Sequence, residues 1–420
     1  MKMKGLQLQV LWVLMLNSFT RGVSYDRYQV LRVTSPRGAS DSERIQRLVS
    51  ETAGAEVWMR SFEDAHELWE VLLPPSGVQR FVSDLSYDGY SLSVKIEDVQ
   101  KVLDEQESER KSRCHQQASS AFSHSNYNDL IDIYGILDTL ERENPLVSTY
   151  VAGTTLEGRL IRVAQVSAGG DGTRQVVWID CGIHAREWIS PATCQWVLDQ
   201  LTSGYNADPA ITELLDTHDF HIMPVVNPDG YAYSWDEDRL WRKNRHPYNE
   251  TCVGVDLNRN FDSHFGGIGS SGIHCLPIYH GEMAFSELET QAVRNSLTLL
   301  NSRLKAYFAL HSFSQKWMFP YGYNFEKPEN YDEQLRVANI GAEALFSVNG
   351  TEYSVGSQAI TIYPSAGTAV DWVYDSLGVS YSYIIELPDK GDYGFLLPPS
   401  FIVPVGEETW TGIMAAIKAM

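Results

Sequence analysis

The chain has 420 residues, of which 21% are charged and 43% are hydrophobic, and its formal net charge is −21. This length is enough for two or three domains with buried cores, and the composition is that of an ordinary globular protein. The acidic balance argues against nucleic acid as the main partner, because phosphate binding requires a basic face.

Residues 1–23 have the pattern of a signal peptide. Lys2 and Lys4 precede the apolar run Leu6–Leu16, and small residues follow over Gly22–Ser24. A charged segment, a short apolar run and a small-residue cleavage site are typical of secretion. The alternative is a membrane anchor, but a run this short does not span a bilayer comfortably. We therefore expect a secreted, extracellular protein with no membrane partner.

The next 90 residues predict a small α+β domain followed by a linker. Strands are predicted in YQVLRV and HELWEVLLP, and helices in DSERIQRLVSET, SGVQRFVSDLS and VKIEDVQKVLDEQ. The polar stretch 104–125 predicts an exposed linker after the last helix. Within it, Arg110, Lys111 and Arg113 are candidate cleavage sites for a trypsin-like protease, because exposed polar linkers are where chains are cut.

From about residue 126 onward, predicted strands alternate with predicted helices. The strands are RQVVWIDCGIH, DFHIMPVVNP, LKAYFALHSF and SYSYIIELP. The helices are SPATCQWVLDQLTSG, SELETQAVRNSLTLLNS, YDEQLRVANIGAEALFSV and EETWTGIMAAIKAM. Ser286 and Glu289 predict a capping box at the start of the second helix. The alternation predicts an α/β domain with a mixed, mostly parallel central sheet flanked by helices.

Candidate metal ligands lie at the ends of these strands, where α/β sheets bind ligands. His184 follows VVWIDCGI, His311 follows AYFAL, and Glu386 ends SYIIE. A single histidine at a strand end is usually structural. However, His184 is three residues before Glu187, and His311 would complete a His₂Glu set, which is known for catalytic zinc with a fourth position open to water.

Five cysteines are present, and secretion makes disulfides possible. Cys181 and Cys194 lie on either side of the His184 motif, and Cys252 and Cys275 bracket a glycine-rich loop. We predict that these two pairs are disulfides, which leaves Cys114 without an obvious partner.

Two sequons permit N-glycosylation of a secreted chain. They are Asn249-Glu250-Thr251 and Asn349-Gly350-Thr351. Such sequences also occur by chance, so the sequence does not decide whether either is used.

Seven motifs in order carry a family resemblance: DCGIHAREW, NPDGY, RLWRKNR, GVDLNRNFD, HSFSQ, TIYPSAGTAVDW and IIELPDKGDYGFLLPPS. With them, the chain from about residue 25 onward resembles the secreted pancreatic-type zinc metallocarboxypeptidases, the A/B group. After the predicted signal peptide over 1–23, the resemblance implies an activation propeptide with its linker over 24–113 and a catalytic domain over 114–420. It also implies one zinc per chain, peptide or protein C-termini as substrates, an activating trypsin-like protease, and a monomer.

The resemblance further implies catalytic roles. His184, Glu187 and His311 match the zinc ligands. Glu386 matches the general base, which takes a proton from water and later returns it to the leaving amine. Arg242, in RLWRKNR, matches the residue that stabilises the developing oxyanion, an electrostatic contribution that often dominates catalysis.

Other matching residues are expected to bind the substrate. Asn258 and Arg259 match the pair that holds the terminal carboxylate, because a guanidinium can make two parallel hydrogen bonds to it. Tyr363 matches the mobile tyrosine that closes over the bound terminus. The outer part of the groove is expected to include Arg186, Ser312 and Phe395.

The side-chain preference is expected to depend on Val370. In B-type relatives an aspartate immediately precedes the Asp-Trp pair and attracts Lys or Arg, whereas TAVDW has Val370 there. Asp371 is present in A-type members too. With Met318 and Ile384, Val370 predicts an apolar pocket that offers no partner to a substrate cation. We therefore predict the A-type preference for apolar or aromatic C-terminal residues.

Two alternatives remain open at this stage. One is a B-type preference for Lys or Arg, with Asp371 or another acid reaching the pocket. The other is a catalytically inactive secreted binding protein, which the presence of all ligands, Glu386, Arg242 and Arg259 disfavours. The chain also departs from common family residues at Phe313, which lacks a tyrosine hydroxyl, and at Pro388, which replaces an arginine.

Overall fold

The computed structural model describes residues 22–36, 42–63, 66–114, 124–170 and 172–420. The predicted signal peptide therefore lies outside the described residues except for its last two positions. The side chains of Lys111, Arg113 and Cys114 are also outside the description. No described helix combines the length and apolarity that crossing a membrane requires.

The leading part of the chain is a four-stranded antiparallel sheet in the order β2-β3-β1-β4. Its strands are β1 (Gln29–Thr34), β2 (Glu56–Glu63), β3 (His66–Leu73) and β4 (Ser91–Ile96). Two helices, α1 (Ser42–Ser50) and α2 (Pro75–Tyr87), cover one face. The pleat of β1 explains the layering, since Leu31 and Val33 pack under the helices while Val30 faces the remainder of the protein.

Three features of this domain differ from the sequence-based predictions. Strand β2 was not predicted, and the predicted helix VKIEDVQKVLDEQ begins with the last residues of β4. The predicted linker was wrong over 104–114, because helix α3 (Val99–Cys114) continues through it. Its Glu, Gln, Lys and Arg residues have good helix propensity, and their polarity alone gave the appearance of a loop. Helix α3 also contacts the main domain, because Nε2 of Gln106 donates a hydrogen bond to the carbonyl of Leu396 at 2.5 Å.

The main domain is built on an eight-stranded sheet, counted over the described residues, in the order β11-β10-β12-β9-β7-β8-β6-β5. The four strands β12, β9, β7 and β8 are parallel to their neighbours within this group, and β10 and β11 are also parallel to each other. The pairs β10–β12, β6–β8 and β5–β6 are antiparallel. The strands are β5 (Val147–Thr154), β6 (Leu160–Val166), β7 (Gln175–Cys181), β8 (His218–Met223), β9 (Leu304–Ser312), β10 (Lys316–Phe319), β11 (Ser354–Ser357) and β12 (Tyr381–Leu387). The predicted mixed, mostly parallel sheet is therefore confirmed.

Helices cover both faces of this sheet. They are α4 (Leu130–Glu143), α5 (Ile189–Gly204), α6 (Pro209–Thr217), α7 (Pro228–Asp236), α8 (Leu288–Leu300), α9 (Tyr331–Asn349), α10 (Gln358–Thr361), α11 (Ala369–Leu377) and α12 (Ile402–Ala419). Helices α4, α5, α6, α9 and α12 share one apolar core with the strands, whereas α8 and α11 share the other. Burial on both faces explains why the central strands are continuous apolar runs.

The predicted capping box at Ser286 was wrong. Helix α8 starts at Leu288 with Glu287 as its N-cap residue, and no side chain caps it. The Ser286 hydroxyl instead donates to the Glu287 carboxylate at 2.6 Å and accepts the amide of Asn260 at 2.9 Å. A tertiary contact has thus replaced the local one.

Candidate active site and metal centre

The parallel strands β7, β9 and β12 bring the predicted catalytic groups to one edge of the sheet. His311 is the penultimate residue of β9, and Glu386 lies directly beside it in β12. His184 is three residues beyond the end of β7. The hydroxyl of Ser190 joins the two neighbouring strand ends, because it accepts the N–H of Gly182 at 3.0 Å and donates to the carbonyl of Leu310 at 2.5 Å.

Both predicted disulfides are present. Cys181, the last residue of β7, is joined to Cys194 in α5, which fixes the segment that carries His184 and Glu187. Cys252 is joined to Cys275 and closes the loop between them.

His184, Glu187 and His311 form a buried group that could hold a metal ion, with one ligand atom from each within 4.8 Å of the others. Nδ1 of His184 is 2.7 Å from Oε1 of Glu187 and 3.2 Å from Nδ1 of His311. Two donors about 2.0–2.1 Å from a tetrahedral zinc are roughly 3.3 Å apart. The distance between the two histidine nitrogens suits that ion, as does the 3.2 Å between Nδ1 of His311 and Oε2 of Glu187, whereas His184 and Glu187 lie at hydrogen-bonding distance. Two imidazoles and one carboxylate are also a donor set that zinc accepts.

Asp256 is buried beside the candidate metal ligands and contacts both His184 and Arg242. Its Oδ1 is 3.1 Å from Nε2 of His184, which leaves Nδ1 directed toward Glu187. Its Oδ2 accepts Nε and Nη2 of Arg242 at 3.2 and 3.0 Å. Although burial alone would raise the pKa of Asp256, the nearby Arg242, Arg259 and His184 lower it well below its usual range. Burial and the Arg242 cation lower the pKa of His184, which keeps its imidazole neutral and able to bind metal.

Glu386 has the environment of a proton acceptor that works near neutral pH. The residue is half-buried, and burial raises the pKa of its carboxyl to about 7, although the nearby His311 and Arg242 act to lower it. A carboxylate tuned in this way can accept and release a proton efficiently.

Two cations stand near these acids. Nη1 of Arg242 is 3.7 Å from Oε1 of Glu187, so the guanidinium lies beside the ligand group while Asp256 holds it. Arg259 donates from Nε to the carbonyl of Gly269 at 2.9 Å and from Nη1 to that of Asn258 at 2.7 Å. The remaining Nη2 lies 3.4 Å from the hydroxyl of Tyr363. These contacts fix the orientation of the Arg259 guanidinium next to the hydroxyl of Tyr363.

Asn258 connects this region to the segment that precedes α11. Its Oδ1 accepts the N–H of Ala369 at 3.0 Å. The next residue, Val370, is fully buried among apolar side chains that include Met318 and Ile384. The carboxylate of Asp371 is also fully buried, and it accepts the N–H groups of Gly322 at 3.0 and 2.9 Å and of Tyr323 at 3.2 Å.

Two of the three expected outer-groove residues, Arg186 and Phe395, contact the leading domain. Arg186 is buried, donates to Oε1 of Glu56 at 2.7 Å and lies over the ring of Phe395, 4.0 Å from its centroid. Trp58 packs edge-on against Phe395 with a centroid distance of 5.2 Å. Ser312 is buried, and its N–H donates to Oε2 of Glu187 at 3.2 Å.

Sequence reasoning missed three residues that organise this site. Asp256 was overlooked although it is only two positions before Asn258 in GVDLNRN. Its importance depends on a contact with His184, 72 residues away, which no local pattern reveals. Glu56 and Trp58 lie in the unpredicted strand β2, so the sequence offered no signal that they meet Arg186 and Phe395.

Comparisons with known proteins agree with this geometry. The model of the family described as zinc carboxypeptidase matches residues 133–412, and that of the carboxypeptidase activation peptide matches residues 34–106. Carboxypeptidase A2 of Rattus norvegicus is 42% identical over 354 residues, 84% of each chain. Carboxypeptidase A4 of Mus musculus is 39% identical over 393 residues, 93% of each chain. The crystal structure of thrombin activatable fibrinolysis inhibitor has a TM-score of 0.83 at 34% identity, covering 93% of this chain and 98% of that one.

The matches span both the leading domain and the main domain, in the order seen here. They agree with the His-Glu-His group at the edge of the main sheet. The chain therefore belongs to the zinc carboxypeptidase family, as a metallocarboxypeptidase that carries an activation peptide before its catalytic domain.

Proposed function

We propose that this chain is a secreted, monomeric zymogen whose active form removes apolar or aromatic C-terminal residues, the A-type preference. In this proposal residues 24–113 form the activation segment and 114–420 form the catalytic domain. A trypsin-like protease cuts between them. The single observation that supports the A-type preference most strongly is the environment of Asp371.

Asp371 is the acid that a B-type preference would most readily use, and its carboxylate is already engaged. It is buried, it accepts backbone N–H groups from Gly322 and Tyr323, and burial raises its pKa to about 7. A substrate lysine or arginine would therefore have to displace these contacts. Val370 beside it has no charge, and burying an unpaired cation there would be costly. The names of the A2 and A4 relatives point the same way.

Each part of the site has a role in the proposed hydrolysis. Arg259 and Asn258 bind the terminal carboxylate, and the hydroxyl of Tyr363 lies within reach of the same guanidinium. This contact restricts cleavage to the last peptide bond. Glu386 accepts a proton from the attacking water and gives it to the leaving amine, so that the amine departs neutral.

The metal ligands and Arg242 complete the proposed mechanism. His184, Glu187 and His311 would hold zinc, which when bound would supply a Lewis acid for the scissile carbonyl and lower the pKa of water. Arg242 places its positive charge where negative charge develops on the carbonyl oxygen, and Asp256 keeps it in that position before substrate binds.

The contacts of Glu56 and Trp58 support the zymogen part of the proposal. They contact Arg186 and Phe395, which we assign to the outer groove. The activation segment would then block peptide entry while the catalytic residues keep their geometry. Removal of the segment is enough to free the groove.

One assay tests the proposal. The trypsin-treated chain is given peptides that differ only in a C-terminal Phe, Leu or Arg, with and without the chelator phenanthroline. We expect cleavage of Phe and Leu, little cleavage of Arg, and loss of activity on chelation. Preferred release of Arg would establish the B-type alternative. Failure to cleave any of the peptides, by a chain with one bound zinc, would favour the inactive binding protein.

A further inference from the structure

The asparagines of both sequons are exposed, but their side-chain amides make different hydrogen bonds. Asn249, Glu250 and Thr251 are all exposed at the tip of a short turn, which Pro247 and Val253 close by pairing as an antiparallel bridge. The disulfide from Cys252 to Cys275 anchors the turn. The sequon is therefore held outward on a loop of fixed shape.

The side-chain amide of Asn249 is arranged with its oxygen occupied and its nitrogen available. Oδ1 accepts the N–H of Thr251 at 2.9 Å, the hydroxyl of Thr251 at 3.0 Å and the N–H of Cys252 at 2.8 Å. Nδ2 has no hydrogen-bond partner among the residues that the structure describes. Attaching a group to this nitrogen would break no contact seen in the fold.

Asn349 has the reverse arrangement. It is the last residue of α9, and its Nδ2 donates to the carbonyl of Pro404 at 3.1 Å and to Oε2 of Glu408 at 3.2 Å. The hydroxyl of Thr351 donates to the same carboxylate oxygen at 2.6 Å. Glu408 is buried in α12, so both polar groups of this sequon serve to satisfy a buried carboxylate.

We propose that Asn249 is a site of N-linked glycosylation, and that Asn349 is instead a structural hydrogen-bond donor to Glu408. The donor is an oligosaccharide linked to a lipid pyrophosphate in the secretory pathway. A bond forms between Nδ2 of Asn249 and the anomeric carbon of the sugar, and the bond from that carbon to the pyrophosphate oxygen breaks. The lipid pyrophosphate leaves, and one proton of the amide goes to a base. The inference rests on the proposed secretion.

Glycosylation of Asn349 would lower the stability of the folded chain. Transfer generally precedes folding, so the enzyme that attaches the sugar does not see the contact with Glu408. A chain modified at Asn349 would nevertheless have to fold with one N–H of Nδ2 replaced by a sugar facing α12. Leaving a buried carboxylate short of a donor is destabilising. Such chains would be depleted from the folded, secreted product, whereas modification of Asn249 carries no such penalty.

The test compares the occupancy of the two asparagines in one sample. The full chain is expressed in a eukaryotic secretory cell, and material from the medium and from the cell is treated with peptide N-glycosidase in ¹⁸O-water. We expect the ¹⁸O-aspartate mark at position 249 and not at 349, with loss of one oligosaccharide mass from the intact chain. Asn249→Gln and Thr251→Ala should abolish this loss, while Thr251→Ser should retain it.

Asn349→Gln is the matched control, and it should leave the mass loss unchanged. Thr351→Ala should also leave the mass loss unchanged while it lowers thermal stability, because it removes a donor from Glu408. A mark at 349, or none at 249, would overturn the proposal. A second chain with a heterologous signal peptide separates the causes. A mark at 249 only in that chain would refute the proposed secretion and leave the site intact, and no mark in either chain would refute the site.

Discussion

Nε2 of His184 lies 3.1 Å from the carboxylate of Asp256, which also pairs with Arg242. One buried acid therefore contacts both a proposed metal ligand and the proposed oxyanion-stabilising cation. The two roles can be separated by experiment, because metal affinity and turnover are measured independently.

Asp256→Ala should lower zinc affinity by about 10–100-fold, the usual cost of losing a group that orients a ligating histidine. Turnover of the zinc-saturated variant should also fall, since Arg242 loses its partner. Zinc competition with a chromophoric chelator measures the first effect. Asp256→Asn keeps an acceptor for His184 but not the charge, so it should restore part of the affinity and little of the turnover. Asp262→Ala, at an exposed position, serves as the control. Unchanged zinc affinity in folded Asp256→Ala would contradict the role given to Asp256.

Glu386→Gln should retain zinc and substrate binding but reduce kcat by about 10²–10⁴-fold, because only proton transfer is removed. Metal analysis and steady-state kinetics on a peptide ending in Phe would establish both. Glu352→Gln alters an exposed acid and should change neither. Near-normal turnover by Glu386→Gln would show that another group is the base.

Val370→Asp should shift the preference from Phe and Leu toward Lys and Arg, because a buried carboxylate pairs with a substrate cation and is costly beside an apolar side chain. The ratio of kcat/KM for substrates ending in Arg and Phe is the measurement. Val370→Asn has a similar size without charge, and it should weaken Phe cleavage without a gain for Arg. The same ratio in Val370→Asp and the parent chain would mean that this residue does not contact the substrate.

Docking of the activation segment should become tighter as the pH falls from about 7 toward 4.5. Glu70 is fully buried against the loop that contains Gly391, and burial raises its pKa to about 7, although its partner Arg32 at 2.6 Å opposes this. In the released activation segment the carboxyl of Glu70 would be exposed to water, and its pKa would be near the usual value for a glutamate. Docking therefore takes up a proton within this window, and the docked state loses stability as the pH rises through it.

Comparing the pH dependence of docking in the parent chain and in Glu70→Gln isolates the contribution of Glu70. After trypsin cleavage, the dissociation constant of the two fragments is measured at several pH values by separation or by tryptophan fluorescence. Glu70 should contribute up to about a tenfold change per pH unit within the window and none above it. Glu70→Gln should flatten the profile by this amount. Identical profiles for the two chains would exclude Glu70 as the titrating group.

Limited trypsin digestion should yield a product that begins near Cys114 and a large rise in hydrolysis of long peptides. Arg110 pairs with Glu107 at 2.7 Å and lies over the ring of Trp235, which protects the chain there. Arg113 is one residue from the end of α3, where helices fray. Arg113→Gln should slow activation more than Arg110→Gln, as followed by N-terminal sequencing. Full activity of the uncut chain on long peptides, unchanged by cleavage, would rule out the zymogen.

The sequence predicted those parts of the molecule that local pattern and chain order determine. The four central strands and the helices α5, α8, α9 and α12 were apparent because their buried faces produce long apolar runs or helical periodicity. Strand β2 was missed because its apolar residues do not alternate regularly, and Trp58 packs against Phe395, which is remote in sequence. Half of the residues in strand β4 are exposed, and its last three residues were assigned to the predicted helix. Helix α3 was cut short because its outer turns are polar.

The sequence likewise predicted only those site residues that lie in recognisable local motifs. His184, Glu187, His311 and Glu386 were predicted because short motifs at strand ends carry them, and the fold brings the three candidate metal ligands together. Asp256 and Glu56 were not found, since each acts only through a partner remote in sequence. Acidic residues such as these are common, and only the folded chain shows which partners they contact.

The pairing of His311 with Glu386 across neighbouring strands makes this enzyme more sensitive to chain length than to composition. Strand β12 is hydrogen-bonded on both sides, to β9 and β10, so its register is determined twice. One extra residue between Tyr381 and Glu386 would move Ile385 to the position beside His311 and turn the carboxylate to the opposite face. Such a chain would retain every ligand and every charge, yet it would no longer direct the carboxylate toward the metal ligands. Insertions and deletions in β12 should therefore be tolerated far less than most substitutions within it.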